Sequence, residues 1–216
     1  MNEETSYEPS RELTDRHLLV AAKQATGFIS LRFAGTLIGL GWNVLLARLL
    51  GAELLGVFVL GSTTALFVAL VASLGVGPML VRYVPVLVSR GNNEGAAGVF
   101  RFGTRVAVVS SIVAAVVVLL GRNVIAGPIF HEPKLLPYMP IVAAAIVPHA
   151  LLMIFGYALR AYKNAALESL SREVIYKVAL IAVFAALFAV GMRLRGLVHA
   201  LVKANAVTAA IMMIFV

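Results

Sequence analysis

The chain has 216 residues, of which 61% are hydrophobic and 13% charged, with a formal net charge of +8 and no cysteine. A soluble domain is about 45–50% apolar and about 25% charged, so polar side chains are too scarce here to cover a water-soluble globule. A disordered chain is excluded by the same numbers, and disulfides and thiolate metal sites by the missing cysteines.

What remains is an all-α polytopic membrane protein, provided that the apolar residues fall into long runs. Residues 1–26 stand apart. Met1 to Pro9 is polar and carries Glu3, Glu4 and Glu8, while Ser10 to Thr26 reads as a short juxtamembrane helix. The acidic start argues against a cleaved secretory signal, which leaves the first apolar span as the targeting element.

Six spans follow, over 27–50, 54–80, 103–121, 136–159, 175–192 and 196–216, against a need for roughly 20 apolar residues per crossing. Gly51-Ala52-Glu53 joins the first two as a tight hairpin. Leu54 to Val81 runs 28 residues without a formal charge. Residues 82–105 read as the longest connection, turning at Arg90-Gly91-Asn92-Asn93-Glu94-Gly95. Gly127-Pro128 and Glu132-Pro133 turn the chain between the third and fourth spans. The two shortest spans are flanked by Arg105, Arg122, Lys177 and Arg193, whose long side chains can snorkel to the interface.

Alternating the loops puts eleven Lys and Arg residues on the N-terminal face and five on the other, with Arg32 and Lys203 inside spans. This bias predicts a multi-pass cell-membrane protein with its N-terminus in the cytoplasm. The basic residues are spread along short loops rather than gathered in a patch, so nucleic acid is not an expected partner.

Several segments carry a family resemblance. Ala47-Arg48-Leu49-Leu50-Gly51-Ala52-Glu53-Leu54-Leu55-Gly56 resembles the hairpin between the first two helices of polysaccharide flippases. Those proteins belong to the multidrug/oligosaccharidyl-lipid/polysaccharide exporter superfamily. Leu74-Gly75-Val76-Gly77 followed by Val81-Arg82-Tyr83-Val84 is similar to the family's close of helix two, and Tyr157-Ala158-Leu159-Arg160-Ala161 to its break before the second cytoplasmic loop. The resemblance implies export of polyprenyl-linked oligosaccharide to the outer leaflet by alternating access between two six-helix lobes. Only one lobe is present here. The last span closes on Ile211-Met212-Met213-Ile214-Phe215-Val216 without an interfacial anchor, so the expectation is a fragment, or a half whose second lobe is encoded elsewhere.

Candidate site residues are few. An anionic pyrophosphate lipid needs positive charge where water is scarce, which singles out Arg32 and Lys203 as cavity cations. Both also lie within snorkelling distance of an interface. His149, after Pro148 and deep in the fourth span, reads either as a neutral ring bonded to a neighbouring helix or as a titrating gate. Asn43 reads as an interhelical hydrogen bond or a cavity contact, and Arg82 and Tyr83 as a boundary anchor or a cytoplasmic gate. Ser62, Thr63 and Thr64 read as groups that bond back to their own helix.

No carboxylate lies inside a span, which disfavours the alternative of an ion-coupled small-molecule exporter. A non-transporting membrane scaffold is the third reading. Gly-rich phosphate loops, paired carboxylates and metal-spaced histidines are missing, so the chain reads as a transporter rather than an enzyme, with no cofactor or metal.

Overall fold

The computed structural model describes residues 8–162, 165–189, 191 and 193–215, with side chains at 30, 33–162, 167–172, 174–189, 191 and 196–215. Every regular element among them is helical: α1 (Glu8–Ala72), α2 (Val76–Ser89), α3 (Asn93–Leu120), α4 (Arg122–Val124), α5 (Met139–Ala161), α6 (Ala165–Leu170), α7 (Tyr176–Ala189) and α8 (Arg193–Ile214). A π-helical turn (Ile125–Ile129) and a 3-10 turn (Pro133–Tyr138) lie between α4 and α5, and a second π-helical turn (Ser171–Ile175) links α6 to α7.

α1 is broken at Gly51, whose φ of 81° and ψ of 164° fall in a region open almost only to glycine. The chain reverses there. Gly35 accepts a hydrogen bond from Lys177, and Leu66 lines a cavity with the same lysine. A straight helix would hold those two positions about 46 Å apart. Glu53 pairs with Lys134 beside the reversal and ties it to the 3-10 turn. Gly51→Ala is therefore expected to cost about 1–3 kcal/mol, read as a lower unfolding midpoint in detergent, although no atom crowds the position.

Among the described residues, four helices are long and apolar enough to cross a membrane: Phe33–Ala72, Asn93–Leu120, Pro133–Ala161 and Gly196–Ile214. Val76–Ser89 and Tyr176–Ala189 are apolar but shorter. Two boundaries differ from the sequence reading. The expected span 54–80 is interrupted at Ser73–Gly75, where Leu74 and Gly75 have φ of 49° and 74°. Ser110 of α3 donates to Ala72 O (2.5 Å) at this break, so a carbonyl freed by the end of α1 finds a partner on the next helix. The expected connection 82–105 is helical on both sides of a short turn, because Asn92 accepts from Gly95 N (2.8 Å) and starts α3 ten residues early.

The main core gathers both arms of α1 against α5, α7 and α8, with Leu46, Ala65, Ile146, Phe184 and Leu201 at its centre. Trp42 meets Phe184 edge to face at 5.3 Å. A second cluster, including Leu80, Val84, Ala107 and Ile154, joins α2 and α3 to α5. Large apolar side chains such as Phe33, Phe67, Val113 and Val117 remain exposed on the outer faces of α1 and α3.

Candidate functional site

A cavity of about 300 Å³ opens between the second arm of α1, α5, the π-helical turn before α7, and α8. Leu66, Leu152 and Met153 form its apolar wall. Five polar groups line it as well: His149, Arg172, Tyr176, Lys177 and Asn205.

The π-helical turn explains how two cations come to share this space. In a regular α-helix, Arg172 and Lys177 would point about 140° apart, because each residue turns the helix by about 100°. The wider i→i+5 repeat of Ser171–Ile175 brings positions five apart back towards one side. Tyr176 lies between the π turn and Lys177 on the same wall.

Each cation has a local anchor. Glu168 is buried and accepts from Arg160 at 2.9 Å, whereas Arg172 reaches it only at 3.5 Å. Arg160 therefore carries most of the neutralisation, and the five-donor guanidinium of Arg172 can serve the cavity without stranding the carboxylate. Lys177 Nζ donates to Gly35 O at 2.5 Å, and its stem lies along Gly39.

His149 and Asn205 meet at the buried end. His149 Nδ1 lies 3.0 Å from Ala145 O, one turn back in α5. Asn205 Nδ2 lies 2.9 Å from the same ring nitrogen and 3.3 Å from Nε2, and donates to Leu201 O at 2.9 Å. Asn205 Oδ1 is buried with no hydrogen-bond partner, and the Tyr176 phenol interacts with the same amide.

Of the candidate site residues named from the sequence, His149 alone is among those lining the cavity. Lys203 is exposed on α8 and is not one of the lining residues. Arg32 has its side chain outside the described residues. Asn43 is exposed and donates to Gly39 O at 3.0 Å, a bond within its own helix. Arg82 and Tyr83 are exposed neighbours, the guanidinium 5.8 Å from the ring centre. Ser62 and Thr64 donate back to Val59 O and Leu60 O, as their helical setting predicts.

Four cavity residues escaped the sequence reading. Arg172 counted only as a loop charge, Lys177 as a loop charge and a snorkelling flank of a short span, and Tyr176 had no distinguishing mark. Asn205 did carry a signal, a polar amide within an apolar span.

Among the described residues every regular element is helical, and the four apolar helices of spanning length there are compatible with a membrane protein. No protein-family profile, curated protein or solved structure matches it.

Proposed function

We propose that this chain is one lobe of a multi-pass cell-membrane transporter that moves an anionic, lipid-linked oligosaccharide across the bilayer, with its N-terminus in the cytoplasm. The observation that carries the reading is the amphipathic cavity, lined by Arg172 and Lys177 together with Leu66, Leu152 and Met153. A phosphate group joined to an isoprenoid chain presents that pairing of anion and hydrocarbon. The cations sit next to polar groups that hold them in place, and charge-assisted bonds to phosphate are the strong kind.

Six crossings fit the lengths when α1 counts twice. Its arms on either side of Gly51 extend about 27 Å and about 31 Å from Phe33 and to Ala72, close to a hydrocarbon core of about 30 Å. The π-helical turn lengthens α7 towards the interface, and α2 joins the second arm after the Ser73–Gly75 break. The hairpin motif at Gly51 and the motifs after it resemble the polysaccharide flippases, and a second six-helix lobe facing this one would complete the alternating-access pair.

The test is transbilayer movement. Proteoliposomes carrying the chain, alone and with its second lobe where the reading frame or a neighbouring gene supplies one, receive a polyprenyl-pyrophosphate oligosaccharide with a fluorescent sugar. The expected result is faster exposure of the sugar to an external quencher than in protein-free vesicles. Equal rates with and without protein would remove the transport reading and leave a scaffold.

A further inference from the structure

Glu168 is a buried carboxylate beside the cavity and is not one of its lining residues. A buried charge is tolerated when partners compensate it, and removing one partner leaves a costly charge behind. Two guanidinium groups share the same oxygen, Oε1. Arg160, from the end of α5, donates at 2.9 Å, whereas Arg172, from the π turn, stands at 3.5 Å. The first is a full hydrogen bond, and the second lies at the outer edge of one.

The surroundings hold the carboxylate and its nearer partner. Gly156 lets α5 close on Glu168, for an added Cβ would stand 3.6 Å from both Cγ and Oε1. One turn further along α5, the Arg160 guanidinium lies 5.7 Å from the centre of the Tyr157 ring, a cation–π contact. That ring packs on Gly77 of α2. Arg160 thus has a second hold away from the cavity, while Arg172 borders the cavity itself.

A carboxylate and a phosphodiester ask the same thing of a guanidinium, namely N–H donors in a planar fork. Glu168 is therefore a resident anion that competes with any anion in the cavity for Arg172. The competition is mild in the native chain, because Arg160 already occupies Oε1 at the shorter distance. Without Arg160, the buried carboxylate would draw Arg172 in for compensation, and the cavity would lose that cation.

We infer that Glu168 and Arg160 are positioning residues that set the anion affinity of the cavity through Arg172. Glu168 competes for the guanidinium, and Arg160 releases it. This rests on the anion reading of the cavity and adds how the site is tuned from outside it. Substitutions at the two positions then act with opposite signs, and both act only while Arg172 is present.

The experiment is a calorimetric titration of the full chain in neutral detergent at neutral pH. The probe is dioctanoyl phosphatidylglycerol, a phosphodiester, and glycerophosphoglycerol, the same headgroup without acyl chains, is the second arm. Tighter binding of the lipid than of its headgroup assigns the anion to the membrane, and equal binding assigns it to solution. The same order of variants with either probe supports the competition.

Arg160→Gln is expected to weaken binding about fivefold, the low end of coupling between linked groups. Glu168→Gln is expected to strengthen it about twofold, the usual effect of an i,i+4 ion pair near the surface. Joined in one chain, the two changes are expected to bind like Glu168→Gln alone, since the carboxylate that recruits Arg172 is gone. Independent effects would instead multiply to a net loss. In an Arg172→Gln background, neither change is expected to alter affinity. Unfolding midpoints report whether each variant is folded. If Arg160→Gln is not, Glu168→Gln and the double variant, which lack the buried charge at position 168, decide the matter.

A loss in Arg160→Gln that persists in the Arg172→Gln background overturns the inference, because the arginine then acts as a distant charge or as a prop for the fold. A double variant that shows the multiplied loss, or unchanged binding in both single variants, overturns it as well. Binding that is unchanged in Arg172→Gln and in Lys177→Gln removes instead the anion reading beneath it.

Discussion

Replacing Arg172 and Lys177 together by Gln is expected to weaken phosphodiester binding about 100-fold at neutral pH, and each single replacement about tenfold. A hydrogen bond to a charged group contributes about 1.5–3 kcal/mol, and the lower end applies because the Arg172 side chain is half exposed and screened by solvent. About 1.4 kcal/mol for each cation gives a factor of ten, and the two act on one ligand. Glutamine keeps an amide donor for Gly35 O and for Glu168, so the loss reads charge more than packing. Titration with dioctanoyl phosphatidylglycerol checks the prediction, and unfolding midpoints of the variants confirm that the fold is intact. Affinity within threefold of wild type in the double variant would assign the anion elsewhere on the molecule.

Gly77→Val is expected to destabilise the chain by about 3 kcal/mol, at the upper end of the cost of overpacking a filled contact. Gly77 is buried where α2 crosses α5, and a Cβ there would overlap the ring of Tyr157. An aromatic ring has no flexible end to withdraw, so the helices must separate or α2 must shift. Gly103 on α3 plays a similar part, since a Cβ would fall 2.7 Å from Val76 Cγ1. Unfolding in SDS titrations checks the effect, with Gly77→Val/Tyr157→Ala as the companion variant. Removing the ring is expected to recover a large share of the loss. A Gly77→Val protein as stable as wild type would show that α2 is free to move away from α5.

The helical architecture was legible because hydropathy and backbone chemistry point the same way along this chain. Gly51 signals its turn through the one residue type that reaches φ 81° with ψ 164°. Asn92 signals the start of α3 less visibly, since a capping side chain looks the same in sequence as a polar loop residue. The interruption at Ser73–Gly75 was hidden for a similar reason: apolar Leu74 keeps the hydropathy high while its φ of 49° leaves the helix.

The cavity was legible at one residue, His149. Lys203 and Asn205 show why the others were not. They stand two positions apart on α8, about 200° around the helix, so one is exposed and the other fully buried. Charge draws attention to the lysine, and only the helix phase reveals the amide. Arg172 and Lys177 needed a π-helical register to share a wall, which no spacing rule for α-helices anticipates. Their partners come from residues 66, 149 and 205, brought together by tertiary packing alone.

The reversal at Gly51 has a mechanical consequence. The Glu53–Lys134 pair clamps one end of the α1 hairpin, while Gly35 and Leu66 sit at the other, beside the cavity. Each arm is then a lever about 23 Å long, and a rotation of about 10° at the glycine would displace its tip by about 4 Å. With that leverage, a small torsional change at the pivot would become a larger change in the spacing of residues 35 and 66, and the Lys177–Gly35 bond would oppose it.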